Sequence, residues 1–166
     1  MFRHLLIPTD GSPLSNEAVR QGVELAANTG AAIHFITVTE PFHAFSLGVD
    51  QVEDTRGSYG VHMRERAARI LGEVSEIAVA AGVTCKTTHA EDDQPYRAII
   101  RTAEENGCDL IAMSSHGRRG VSAILLGSET VKVLTHSALP VLVYRAGGEA
   151  LRRQTIPDSA SGLAIG

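Results

Sequence analysis

The segment Met113-Ser114-Ser115-His116-Gly117-Arg118-Arg119-Gly120 leaves an unbroken apolar run, and Val121 to Leu126 carry the chain on to Gly127-Ser128-Glu129. A small-residue loop that leaves a buried strand and ends at a helix start is suited to binding an anion. The first turn of a helix has N–H groups without intrahelical partners and about half a positive charge from the aligned peptide dipoles. Gly117 and Gly127 would let backbone approach a phosphate, and Ser128 would add a hydroxyl donor. Arg118 and Arg119 either offset the charge of a polyphosphate or stand as a solvated pair. Both glycines also have the plainer reading of turn residues. Asp10 is the second candidate: it lies between Leu5-Leu6-Ile7-Pro8-Thr9 and Gly11-Ser12-Pro13. It either shapes the turn into a helix or presents a carboxylate beyond the end of a first strand.

Covalent and acid–base chemistry finds less support. A neutral imidazole at His116 beside a phosphate could act as a general base, but no nucleophile or orienting carboxylate stands at a readable spacing from it. Ser12 and Ser15 read as helix caps, since no Gly-x-Ser-x-Gly elbow surrounds them. There is no Gly-x4-Gly-Lys-Ser/Thr loop and no Gly-x-Gly-x2-Gly after the first strand, which disfavours a P-loop NTPase and a dinucleotide oxidoreductase. The chain is therefore expected to bind without catalysis, or at most to hydrolyse slowly.

The elements that must position these residues follow from apolar periodicity. Residues 4 to 8 form a short buried strand. Ser12 caps the next helix, Pro13 takes its first position, Leu14, Ala18, Gly22 and Leu25 fall at helical spacing, and Gly30 ends it. Residues 31 to 38 are β-branched and aromatic enough for a second strand, parallel to the first by a right-handed crossover. Residues 39 to 58, with Pro41, Gly48 and Gly57, read as a long loop containing at most a helical turn. A helix is expected from Tyr59 to Ala81 on Met63, Ala67, Ile70, Leu71, Val74, Ile77 and Ala78. Val83 to His89 is a third strand, Pro95 to about Asn106 a helix, and Leu110-Ile111-Ala112-Met113 a central strand covered on both faces. Ser128 to Ser137 is a last helix with Val131, Val133 and Leu134 as its apolar residues, and Pro140 to Tyr144 a last strand. Five strands alternating with four helices predict an α/β three-layer sandwich around an open, mainly parallel five-stranded sheet. In such sheets the ligand lies beyond the carboxyl ends of the strands, which points to the loops after Pro8, Val38 and Met113.

Composition bounds the rest. The chain has 166 residues, with 15 Lys plus Arg against 19 Asp plus Glu and a net charge of −4, and 43% of it is hydrophobic. That supplies one sizeable core. It lacks the basic stripe of a nucleic-acid binder and any apolar run near the roughly 20 residues a bilayer span needs. Neither a nucleic-acid nor a membrane partner is expected. Cys85 and Cys108 stand apart with no CxxC spacing, as small buried residues at strand starts, so a reducing, cytoplasmic setting is expected. Residues 1–146 read as one domain. The Gly-, Ser- and Ala-rich extension over 147–166 is expected to pack on its own domain or on a neighbouring subunit.

From Leu5-Leu6-Ile7-Pro8-Thr9-Asp10-Gly11-Ser12 to Ala138-Leu139-Pro140-Val141-Leu142-Val143, the chain resembles the universal stress protein family. Nucleotide-binding members carry Gly-x2-Gly-x9-Gly-Ser/Thr after the fourth strand. Here the positions read Ser114-x2-Gly117-x9-Gly127-Ser128, with Ser114 as the departure. The resemblance implies an adenine nucleotide alpha hydrolase-like fold with strand order 3-2-1-4-5. It also implies bound ATP, with magnesium carried by the phosphates and no protein ligand assigned to it. By that resemblance Asp10 would bond to the adenosine portion, with Pro8 and Thr9 shaping the wall, and the Val38 backbone would read adenine. Met113 and Ser114 would line base and ribose; Gly117, Gly127, Ser128 and the Glu129 backbone would hold phosphates, alongside Arg118. A homodimer through residues 140–144 is implied as well, and an exposed Val-Leu-Val edge needs covering in any case. The function implied is a stress-response protein with ATP as its conformational or regulatory ligand. The alternative is a nucleotide-free, dimeric interaction module of the same fold, because the Cβ and hydroxyl of Ser114 either crowd the sugar or bond to it.

Overall fold

The structure, a computed structural model, describes residues 1–42, 49–115 and 126–145, the side chains of 49–56 excepted. Strand β1 (His4–Pro8) buries Leu5, Leu6 and Ile7 completely and ends at the turn around Gly11. Ser12 then caps helix α1 (Pro13–Thr29): its side chain accepts from the Ser15 N–H at 3.2 Å, and Pro13 opens the helix. Gly30, at φ +69°, closes it in the left-handed conformation that favours glycine. The buried face is Ser15, Ala18, Val19, Gly22, Val23 and Ala26, so Leu14 and Leu25 of the expected stripe are only half-buried. The reason is a close approach at Gly22, where a Cβ would come within 2.5 Å of Ile7 Cδ1. The helix lies on β1 through that glycine, and the valines on either side fill the contact.

Strand β2 (Ala32–Thr39) leads to helix α2 (Val49–Ala80), which corrects the expected long loop: the helix begins at Val49, not near Tyr59. Gly57 invited the loop reading, yet it sits exposed with open space around it and costs the helix only about 1 kcal/mol relative to Ala. Ala67, Ile70, Leu71, Val74 and Ala78 anchor α2 in the core, whereas Ile77 is exposed.

Strand β3 (Cys85–Glu91) starts two residues later than expected, in register with Ile33 of β2, and Cys85 is half-buried, not buried, on this edge strand. Helix α3 (Pro95–Glu105), strand β4 (Leu110–Ser114), helix α4 (Ser128–His136) and strand β5 (Val141–Tyr144) complete the described chain. In α4, Val133 is fully buried while Val131 and Leu134 are 45% and 42% exposed, against the expected three-residue apolar face. A nine-residue helix that buries Thr130 and Val133 has one narrow inward stripe, and Val131 and Leu134 fall beside it.

All five strands are parallel, in the order β3-β2-β1-β4-β5 that the resemblance implied. Alternation along each strand sends Leu5, Ile7, Phe35 and Ala112 to the face covered by α1 and α2. Leu6, Ile36, Ile111 and Met113 face α3 and α4 on the other side. Winding reverses between β1 and β4, so their carboxyl ends diverge into opposite crossovers and leave a crevice.

Candidate functional site

At the end of β1 the backbone is tightly knotted. The Thr9 N–H donates to the Ile36 carbonyl at 2.9 Å, and the Thr37 hydroxyl donates to the Thr9 carbonyl. Asp10 Oδ1 accepts from the Ser12 N–H at 3.0 Å, which is the turn-forming role its position suggested. Gly11 follows at φ +74°, with Ile70 of α2 packed where a Cβ would stand.

At the end of β4, the Ser115 N–H donates to the Tyr144 carbonyl at 2.7 Å and the Ser115 carbonyl accepts from the Gly127 N–H at 2.7 Å. The buried Thr130 hydroxyl donates to the Ser114 carbonyl at 3.1 Å and lies 3.3 Å from that of Ser115. These bonds pin the start of α4 to the end of the central strand. Gly127 supplies no side-chain cap, so among the described residues the first-turn N–H groups of α4 lack a capping oxygen. That leaves donors and the positive dipole end available to an anion.

Between these ends lies a cleft of about 940 Å³. Pro8, Thr9 and Asp10 of β1 and its turn, Val38 of β2, Met113 and Ser114 of β4, and Gly127, Ser128 and Glu129 at α4 all line it. The structure thus gathers nine of the sequence-derived candidates around one space. Gly117 and Arg118, with His116 and Arg119, lie outside the described residues, as does the 147–166 extension.

One wall was missed by sequence reasoning. Tyr59, Met63, Arg66, Ala67 and Ile70 line the cleft from α2, together with Thr37 and Thr39 of β2 and Glu40 just beyond it. Met63, Ala67 and Ile70 belong to the expected apolar stripe of α2, and Tyr59 and Arg66 fall beside it at helical spacing, so the signal existed although it pointed to core packing. The Tyr59 hydroxyl donates to the Glu40 carbonyl at 3.2 Å, and its ring packs 5.4 Å from that of Phe42. Arg66 Nη2 donates to the Asp10 carbonyl at 3.4 Å. Thr39 Oγ1 lies 2.8 Å from His89 Nε2. Burial, chiefly, holds the His89 imidazole below its usual pKa; Glu91 pulls it up and Arg64 pushes it down.

On the α4 side, the Glu129 carboxylate accepts from the Tyr96 N–H of α3 at 3.0 Å and from Lys132 Nζ at 2.7 Å. Its side chain therefore braces the first turn of α3 and neutralises a cleft-lining lysine. Among the described residues no group of three or more His, Cys, Asp or Glu side chains could hold a metal ion, and no helix is long and apolar enough to cross a membrane.

Residues 1–145 match the profile of the universal stress protein family. Universal stress protein MJ0531 of Methanocaldococcus jannaschii is 30% identical over 148 residues, covering 87% of this chain and 83% of that protein. The solved structure of MJ0577, from the same organism, is similar with a TM-score of 0.73 at 26% identity, covering 86% of this chain and 95% of the other. A universal stress protein crystallised in complex with cAMP is similar with a TM-score of 0.64 at 28% identity, over 87% of this chain and 97% of its own.

Proposed function

This chain belongs to the universal stress protein family, and from that premise we propose that it binds an adenine nucleotide, ATP, as a conformational or regulatory ligand in a stress response. The observation that carries the reading is the uncapped start of α4, pinned to the end of β4 and sharing one cleft with Asp10 and Val38. The similar protein that holds cAMP supports an adenine nucleotide as the ligand class. In this reading the phosphates lie on the first turn of α4 at Gly127, Ser128 and the Glu129 backbone, with Gly117 and Arg118 adding contacts. Magnesium enters on the phosphates. Adenosine lies against Pro8, Thr9, Asp10, Val38, Met113 and Ser114. The half-buried edge strand β5 supports a homodimer through residues 140–144.

The test is calorimetric titration of nucleotide-free protein with ATP and magnesium, repeated on Gly127→Asp. Aspartate is a favoured N-cap, so the variant keeps α4 while placing a negative charge where a phosphate would sit. Affinity is expected to fall by about tenfold or more, corresponding to roughly 1.4 kcal/mol or more. Unchanged affinity would show that the phosphates are held elsewhere.

A second reading, a nucleotide-free interaction module, is favoured by one residue. Ser114 is 9% exposed at the cleft, where nucleotide-binding relatives are expected to carry glycine. Absence of saturation up to millimolar ATP, with binding restored by Ser114→Gly, would select it.

A further inference from the structure

Two cationic side chains line the described cleft, and their surroundings differ. Lys132 is matched by Glu129 at 2.7 Å. Arg66 is not matched: among the described residues its one hydrogen bond is the long contact from Nη2 to the Asp10 carbonyl, and no carboxylate forms an ion pair with it. A guanidinium has five N–H donors in a rigid fork suited to phosphate oxygens. Arg66 is half-buried, so the charge is only partly screened by water, and it is held on a helix anchored in the core by Ala67 and Ile70.

Its position relative to α4 gives this a meaning. Helix α2 packs on the sheet face of Leu5 and Phe35, α4 on the opposite face with Leu6 and Ile111. The cleft therefore has two places that favour negative charge, Arg66 from the α2 side of the sheet and the first turn of α4 from the other, with Pro8, Val38 and Met113 also in its lining. If the 5′-phosphates occupy α4, they do not also occupy Arg66, which adjoins the Asp10 turn where adenosine is placed. Adenine is uncharged, so an anion at that end must be carried by the ribose.

We propose that Arg66 forms a second anion subsite on the α2 wall, which takes a phosphate on the ribose 2′ or 3′ oxygen of an adenine nucleotide. This rests on the adenine-nucleotide reading of the same cleft and deepens it to a ligand class with charge at both ends.

The test compares 5′-AMP, ATP, adenosine 2′,5′-bisphosphate and adenosine 3′,5′-bisphosphate by calorimetry on wild type, Arg66→Gln and Arg66→Lys, each checked for folding by circular dichroism. One bisphosphate is expected to bind about tenfold or more tightly than AMP, as a charge-assisted contact at a half-buried site implies. The ratio should collapse to within about twofold in Arg66→Gln and be partly restored in Arg66→Lys, which keeps the charge and loses the fork. Which bisphosphate gains identifies the ribose oxygen. If AMP and ATP bind but neither bisphosphate is tighter, or if the gain survives in Arg66→Gln, the subsite is overturned while the nucleotide reading stands. If no nucleotide binds at all, both fall.

Discussion

Helices α2 and α4 bound the same cleft from opposite faces of the sheet, and they do so with different parts of the chain. Helix α2 is 32 residues long and contributes side chains, Tyr59, Met63, Arg66 and Ile70, from a helix anchored by Leu71, Val74 and Ala78 beneath them. Helix α4 is nine residues long and contributes its uncapped first turn, held in place by Thr130 and Val133. A main-chain site tolerates most side-chain changes and fails when its backbone or charge is disturbed. A side-chain wall can be altered one residue at a time without disturbing the backbone that carries it.

The contrast extends to the layers beneath. Phe35, fully buried, belongs to the α1/α2 layer and is among the largest buried side chains of the described protein. Phe35→Ala is expected to cost about 3–5 kcal/mol in urea unfolding, against about 2 kcal/mol for the smaller Val133→Ala truncation in the α3/α4 layer. Equal losses would erase the distinction.

A smaller effect should come from the polar side chain set into the α3/α4 face. His34 is 3% exposed, donates to or accepts from Thr88 Oγ1 through Nε2 at 2.7 Å, and leaves Nδ1 buried without a partner. Burial, first, and then the nearby His4 and Lys86 hold its pKa below the ordinary 6.5. A histidine whose folded pKa is depressed contributes stability that is fully present above 6.5 and is lost as pH falls toward the folded value. Unfolding free energy should therefore decline in wild type between about pH 7.5 and 5.5. His34→Leu should show a shallower decline over the same window, and parallel curves for the two proteins would remove His34 from the account.

The smallest effect is predicted on the outer side of α4. Val131→Ser and Leu134→Ser should each change stability by no more than about 0.5 kcal/mol in dilute protein, because both side chains are already exposed. A larger loss that grows with protein concentration would mean that these two residues are covered in an assembly.

Much of the site was legible because its landmarks are local. A turn-rich stretch after Pro8 and a glycine followed by serine before a helix have meanings set by a few neighbouring residues, and both reached the cleft. The α2 wall was not legible in the same way. Gly48 and Gly57 with sparse apolar residues read as a loop, whereas the helix extends to Val49 from a strongly packed carboxyl half. Helix propagation adds one bond for each residue ordered, so a packed segment can carry a weak one along. The same limit applied to α4, where apolar character at Val131 and Leu134 could not reveal that only Thr130 and Val133 face inward.

The sequence by itself determined the alternation of strands and helices, the helix boundaries at Ser12, Pro13 and Gly30, the fully buried β4 and the chain positions of Asp10 and Ser128. These depend on side-chain sterics, capping and apolar period within a few residues. Only the tertiary structure decided which stripe of each helix is buried and which distant groups meet. It alone brings Arg66 to the carbonyl of Asp10, 56 residues away, and the Glu129 carboxylate to the Tyr96 N–H, 33 residues away. Those meetings arise from the way whole layers pack across the sheet, and no local pattern specifies them.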